Sequence, residues 1–107
     1  MGNRWGIPKD VEALVLSRDT VCVYCGVGFG EERRTKRSWE HIVNDVRLCT
    51  ATNIALCCVG CNASKGAKLL QDWLKSDRAK KRGVSEGTIA PVVRDALRLL
   101  HHSSTSS

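Results

Sequence analysis

Long apolar runs, aromatic residues and prolines are what this chain of 107 residues has least of. It contains no run of about 18 consecutive apolar residues, which excludes a helix that spans a membrane. Its first residues, Met1-Gly2-Asn3-Arg4-Trp5-Gly6, offer neither the apolar stretch of a secretory signal nor the Ser or Thr at position 6 that a myristoylation signal requires. Aromatics make up 5% of the chain and prolines number two, while hydrophobic residues at 42% and charged residues at 26% sit near globular averages; bulk disorder and collagen-like repeats are excluded. The length suits one domain, 1–107, and is too short for a two-domain enzyme with a large cofactor crevice.

Two quantities are high for a chain of this size. Six cysteines without a secretory signal read as metal ligands or free thiols, because a reducing cytoplasm does not keep disulfides. A cytoplasmic protein is therefore expected. Seventeen Lys and Arg against eleven Asp and Glu give a formal charge of +6, which points to a polyanionic partner.

The spacing predicts a helix from about Pro8 to Arg18, with Val11, Leu14 and Val15 on one side. A glycine-rich loop follows Cys22. Trp39–Val43 reads as a strand on which Trp39, His41 and Val43 share one face and Glu40 and Ile42 the other. The run Ile54-Ala55-Leu56-Cys57-Cys58 is its expected hairpin partner. From Asn62 the pattern turns helical, with Leu69, Leu70, Trp73 and Leu74 on one stripe. After a breaker segment, Thr88 suits an N-cap, and Ile89, Val92, Val93, Ala96, Leu97 and Leu100 describe an amphipathic helix over about 88–102.

Cys22-x2-Cys25 and Cys58-x2-Cys61 each have the gap that lets a tight turn aim two sulfurs at one ion, and two such knuckles complete a tetrahedral thiolate site for a structural Zn²⁺. Cys57 competes with Cys58 through a three-residue gap, but Cys58 has the preferred spacing and Gly60 inside its turn. A zinc ribbon expects about 15–20 residues between knuckles. Here Gly26 through Cys57 is 32 residues, so something is inserted, and it carries Trp39-Glu40-His41-Ile42 and Asn53.

The ordered set Cys22-Val23-Tyr24-Cys25-Gly26, Glu40-His41-Ile42, Asn53-Ile54-Ala55-Leu56 and Cys58-Val59-Gly60-Cys61-Asn62-Ala63-Ser64-Lys65-Gly66 resembles the HNH endonuclease family over roughly residues 11–74. The resemblance implies an α+β fold: a small, zinc-stapled ββα-metal core, about 20–75, flanked by an N-terminal and a C-terminal helix. It implies that Glu40 and Asn62 hold a catalytic divalent cation, Mg²⁺ or Mn²⁺, and that His41 is the general base. Asn53 matches the middle position, which in the family orders the loop and helps orient the base. Read without the resemblance, Asn53 suits a turn and Asn62 a helix N-cap. The chain departs from the family in placing Val43-Asn44-Asp45 where many members have a proline and glycines, and Glu40 where Asp or His is more frequent.

The implied activity is metal-dependent hydrolysis of DNA phosphodiesters, nicking or cutting both strands, with a 5′-phosphate and a 3′-hydroxyl as products. Such chemistry needs an in-line nucleophile and charge stabilisation on phosphoryl oxygens. Neutral imidazole, with an ordinary pKa of about 6.5, accepts the water proton near pH 7. Basic residues flank the motif: Arg33, Arg34, Lys36 and Arg37 before it, Lys80, Lys81 and Arg82 after it, with Arg47 and Lys65 inside; all are candidate contacts to the DNA backbone. The last helix is the candidate face for a homodimer. The expected setting is a bacterial or phage-encoded enzyme. A noncatalytic zinc-containing nucleic-acid-binding module is the alternative that the same basic face allows.

Overall fold

A computed structural model describes residues 6–45 and 47–105, the last six of these by backbone only. Residues 1–5, 46, 106 and 107 lie outside the described residues. The chain is a small α+β protein whose described residues form a two-stranded antiparallel sheet, five α-helices and a cysteine cluster.

Helix α1 runs Lys9–Arg18, with Pro8 standing just before it rather than inside its first turn; the Pro8 carbonyl accepts the first helical hydrogen bond, from Glu12 N at 2.9 Å. Val15 is buried and Leu14 is exposed, so the buried stripe is narrower than the spacing implies. A 3₁₀ turn at Arg33–Thr35 leads into β1, Arg37–His41, which pairs with β2, Ile54–Cys58. The register sets Arg37 opposite Cys58, Trp39 opposite Leu56, Glu40 opposite Ala55 and His41 opposite Ile54. The expected strand continues to Val43, but β1 ends at His41, because Val43 is drawn into the connection by Asn53.

Every residue of β2 is buried, yet from Ile54 to Cys57 the two-residue alternation persists in where each side chain goes. Ile54 and Leu56 join Ile7, Val15 and Trp39 on the α1 side, while Ala55, Cys57 and Cys58 join Tyr24, Trp73 and the knuckle residues on the other. The outer edge of β2 is covered from the α1 side. Asp19 Oδ2 accepts Leu56 N at 3.0 Å, Val23 N donates to Leu56 O at 3.2 Å, and Arg18 Nη2 donates to Ile54 O at 2.9 Å. Those bonds satisfy the edge that a two-stranded sheet otherwise leaves open.

Beyond β2 the single helical stripe expected from Asn62 onward is instead three short helices: α2 Val59–Lys65, α3 Leu70–Leu74 and α4 Asp77–Lys81. Gly66 (φ 53°, ψ −131°) stops α2 in a conformation that only glycine adopts without strain. Ser76 then opens α4, its hydroxyl accepting Ala79 N. Leu70 and Trp73 still reach the core, Trp73 lying edge-on to Tyr24 with ring centroids 5.0 Å apart. Helix α5 runs Pro91–Thr105, three residues later than the expected Thr88 start. Thr88 uses its hydroxyl elsewhere, donating to Tyr24 O at 2.7 Å.

Candidate metal centre and the strand-helix layer beside it

The two knuckles meet. Sulfurs of Cys22, Cys25, Cys58 and Cys61 all lie within 4.8 Å of one another. The first knuckle follows α1, and the second straddles the β2–α2 junction, with Cys58 capping α2 by accepting Cys61 N at 3.4 Å. Tyr24 N donates to Cys22 Sγ in the same manner. For a Zn–S length of about 2.3 Å a tetrahedral site has sulfurs about 3.8 Å apart, and Cys25 Sγ and Cys58 Sγ stand at 3.8 Å. The donor set and spacing fit a structural metal such as zinc. Cys22 is pushed down to about 4, foremost by its hydrogen bond with Cys61, while burial pushes Cys25 up and the bond to Cys22 pushes Cys61 up. A thiolate at Cys22 opposes ionisation of Cys25 and Cys61, a conflict that a divalent cation would remove. Cys57 faces the core instead, buried and held protonated by desolvation.

Adjacent to the cluster, α2 packs on the β1 face that carries Ser38 and Glu40. Asn62 Nδ2 donates to Ser38 Oγ at 2.7 Å and to Trp39 O at 3.3 Å. The carbonyl of Trp39 can only accept, so these bonds fix which side-chain atom of Asn62 is nitrogen and leave Oδ1 outside both. Asn62 lies inside α2, not at its N-cap. Glu40 is buried, and its two polar contacts fall on one oxygen: Tyr24 OH donates to Oε2 at 2.5 Å and Lys65 Nζ stands 3.1 Å from Oε2. Burial pushes the Glu40 carboxyl up against the opposing pull of Lys65 and Tyr24, and the same burial raises the Tyr24 phenol.

His41 takes the opposite face of β1, as strand alternation requires. It is buried, and its Nε2 lies 3.8 Å from Cys49 Sγ. Desolvation holds the imidazole below its ordinary pKa, against a raising influence from Asp45. Asn53 is also buried and clasps the connection between the strands: its Oδ1 accepts Val43 N at 2.8 Å, and its Nδ2 donates to Val43 O and Leu48 O. The side chain therefore shapes the loop next to His41 without facing the α2 layer.

Among the candidate phosphate contacts, Arg33, Arg34, Lys36, Arg37, Lys80 and Lys81 are exposed. Arg47 is exposed and grips Asp45 with two hydrogen bonds of 2.9 Å. Two expectations need correction. Lys65 is 1% exposed, and its Nζ is engaged with Glu40 and with Asn44 Oδ1 at 3.1 Å, so it is not a surface cation. Arg82 lies on the cysteine cluster, Nε 3.3 Å from Cys61 Sγ and Nη2 3.5 Å from Cys58 Sγ. In both cases a long apolar stem carries the charge inward to a buried acceptor, which residue type alone does not reveal.

Comparison with protein-family models, curated proteins and solved structures finds no match. Tyr24, Ser38, Cys49 and Asp19 are the residues of this region that sequence reasoning passes over. Tyr24 alone carried a signal, being an aromatic between two metal-spaced cysteines. No helix among the described residues is long and apolar enough to cross a membrane.

Proposed function

We propose that the chain is a metal-dependent DNA endonuclease of the HNH type, with Glu40 and Asn62 as ligands of a divalent cation and His41 as general base. The observation that carries the reading is the tethering in the β1–α2 layer. Asn62 is held through its nitrogen, Nδ2, and Glu40 through Oε2, so Asn62 Oδ1 and Glu40 Oε1 are left as hard donors suited to Mg²⁺ or Mn²⁺. A cation bound there would supply Lewis-acid stabilisation of charge on a scissile phosphate.

The chain's own residues account for the remaining requirements. His41 is poised as a neutral imidazole, the form that takes a proton from water. Asn53 holds the loop that follows it. The cysteine cluster fixes the start of α2, and hence Asn62, relative to β1. Exposed Arg33, Arg34 and Lys36 precede the strand, exposed Arg37 opens it, and together they give duplex DNA a cationic approach to it.

The test is conversion of supercoiled plasmid by the zinc-loaded protein with Mg²⁺ or Mn²⁺ against EDTA. Wild type nicks or linearises the plasmid, and His41→Ala loses about 100-fold or more of that rate. Equal rates for the two proteins overturn the reading. One observation favours a noncatalytic zinc-containing nucleic-acid-binding module instead: Lys65 already places a cationic nitrogen 3.1 Å from Glu40. That module retards DNA at low salt and leaves the plasmid intact with every divalent cation tried.

A further inference from the structure

Residues 82–90 wrap both knuckles. Helix α4 ends at Lys81, and Gly83 (φ 74°) turns the chain back so that Val84 enters the core. The segment then reaches the first knuckle, where Thr88 Oγ1 donates to Tyr24 O at 2.7 Å and Ala90 N donates to Val23 O at 2.8 Å. At its other end the Arg82 guanidinium spans two sulfurs of the second knuckle, Cys61 at 3.3 Å and Cys58 at 3.5 Å. None of the ion pairs among the described residues involves Arg82. Gly60, between those cysteines, lies directly beneath it: a Cβ built there would stand 2.7 Å from Arg82 Cζ and 2.8 Å from Nη1. The knuckle sequence thus leaves a place for the guanidinium, and only a glycine leaves it.

We propose that Arg82 is a positioning residue of the metal centre, a cationic clasp that retards loss of the ion from the four cysteines, with residues 82–90 as the strap that delivers it. Four thiolates around one Zn²⁺ carry a net charge of −2, and a largely buried site of that charge is stabilised by a cation that also donates to the sulfurs. Arginine suits the task better than lysine because its planar fork reaches two acceptors at once. Hydrogen bonds from a second layer of residues set ligand basicity and orientation, and their loss typically weakens metal retention about 10- to 100-fold. The proposal rests on the cysteine cluster holding a metal and is independent of nuclease activity.

The test follows transfer of Zn²⁺ from the full-length protein, in the absence of DNA, to excess chromogenic chelator. Arg82→Gln should release the ion about 10- to 100-fold faster than wild type, and Arg82→Lys should fall between. Gly60→Ala keeps the arginine but displaces its flexible end, and it too should accelerate release. Lys75→Gln, which removes an exposed charge away from the cluster, should not. In Co²⁺-substituted protein the thiolate-to-metal absorption band should shift in Arg82→Gln and stay unchanged in Lys75→Gln. Wild-type release rates in both Arg82→Gln and Gly60→Ala overturn the proposal, as does equal acceleration by Lys75→Gln. If Arg82→Gln does not fold, Gly60→Ala and Arg82→Lys decide alone. A wild-type protein that retains no zinc sinks the metal reading and this proposal with it, an outcome distinguishable from normal zinc content with unaltered release. A residue serving only as a phosphate contact would leave release unchanged, because no DNA is present.

Discussion

At Lys65 a side chain of a type usually found at the surface ends beside a buried carboxylate, with its Nζ also 3.5 Å from His41 O. Removing one member of such a pair strands the other charge. Lys65→Met should therefore cost about 3–5 kcal/mol of stability, and the double variant Glu40→Gln, Lys65→Met should recover much of it. Urea unfolding of the zinc-loaded proteins measures both, and additive losses would show that the two groups do not interact. His41 yields a pH prediction. Desolvation lowers its pKa, so the neutral base persists to more acid pH than free imidazole allows. Plasmid cleavage on the proposed mechanism should lose activity toward acid with a midpoint below about 6.5. An acid limb centred above 7 would remove His41 from the role.

Among the secondary elements, the outer edge of β2 depends on one buried acid. Asp19 ends α1, accepts Leu56 N, and receives Arg18 at 2.7 and 2.9 Å, which ties helix, knuckle and strand together. Asp19→Ala leaves a buried strand N–H without its partner and should cost about 1–3 kcal/mol, read by urea unfolding together with faster hydrogen exchange at the Leu56 amide. Unchanged protection at Leu56 would assign the edge to other bonds. The helices after β2 illustrate why periodicity is an incomplete guide. Leu69, Leu70, Trp73 and Leu74 carry a helical spacing, and Leu70 and Trp73 do face inward, but Gly66 and Ser76 interrupt the hydrogen-bond ladder. A glycine is tolerated inside many helices, but Gly66 here takes a positive φ and ends α2. Thr88 is the same lesson at a helix start, a good capping residue whose hydroxyl bonds to the first knuckle.

For the molecule as a whole, the cysteine cluster joins parts of the chain that are distant in sequence: the segment after α1, the β2–α2 junction and, through Arg82, the end of α4. The core on either side of the sheet is small, so a metal there contributes folding free energy directly. Prolonged chelation should lower the melting temperature and weaken the cooperative transition, with recovery on adding Zn²⁺. Circular dichroism melts before and after chelation measure this; an unchanged transition would make the cluster four thiols within a self-sufficient core. Four thiolates around one Zn²⁺ would bring the formal +6 to about +4 and so weaken the pull on the proposed DNA partner.

Sequence by itself determined the features set by local pattern: the two matched cysteine gaps, the strand pair around Trp39 and Ile54, the first and last helices, and the assignment of Glu40 and His41 to opposite faces. Each depends on spacing along the chain, and spacing is what a sequence records. Tertiary structure alone decided the partners of the long cationic side chains. Lys65 and Arg82 read as surface charges with exposed Lys80 and Lys81, yet one ends at Glu40 and the other on two sulfurs. Their flexible stems reach several ångströms from the backbone, and only the folded chain brings a buried acceptor within that reach.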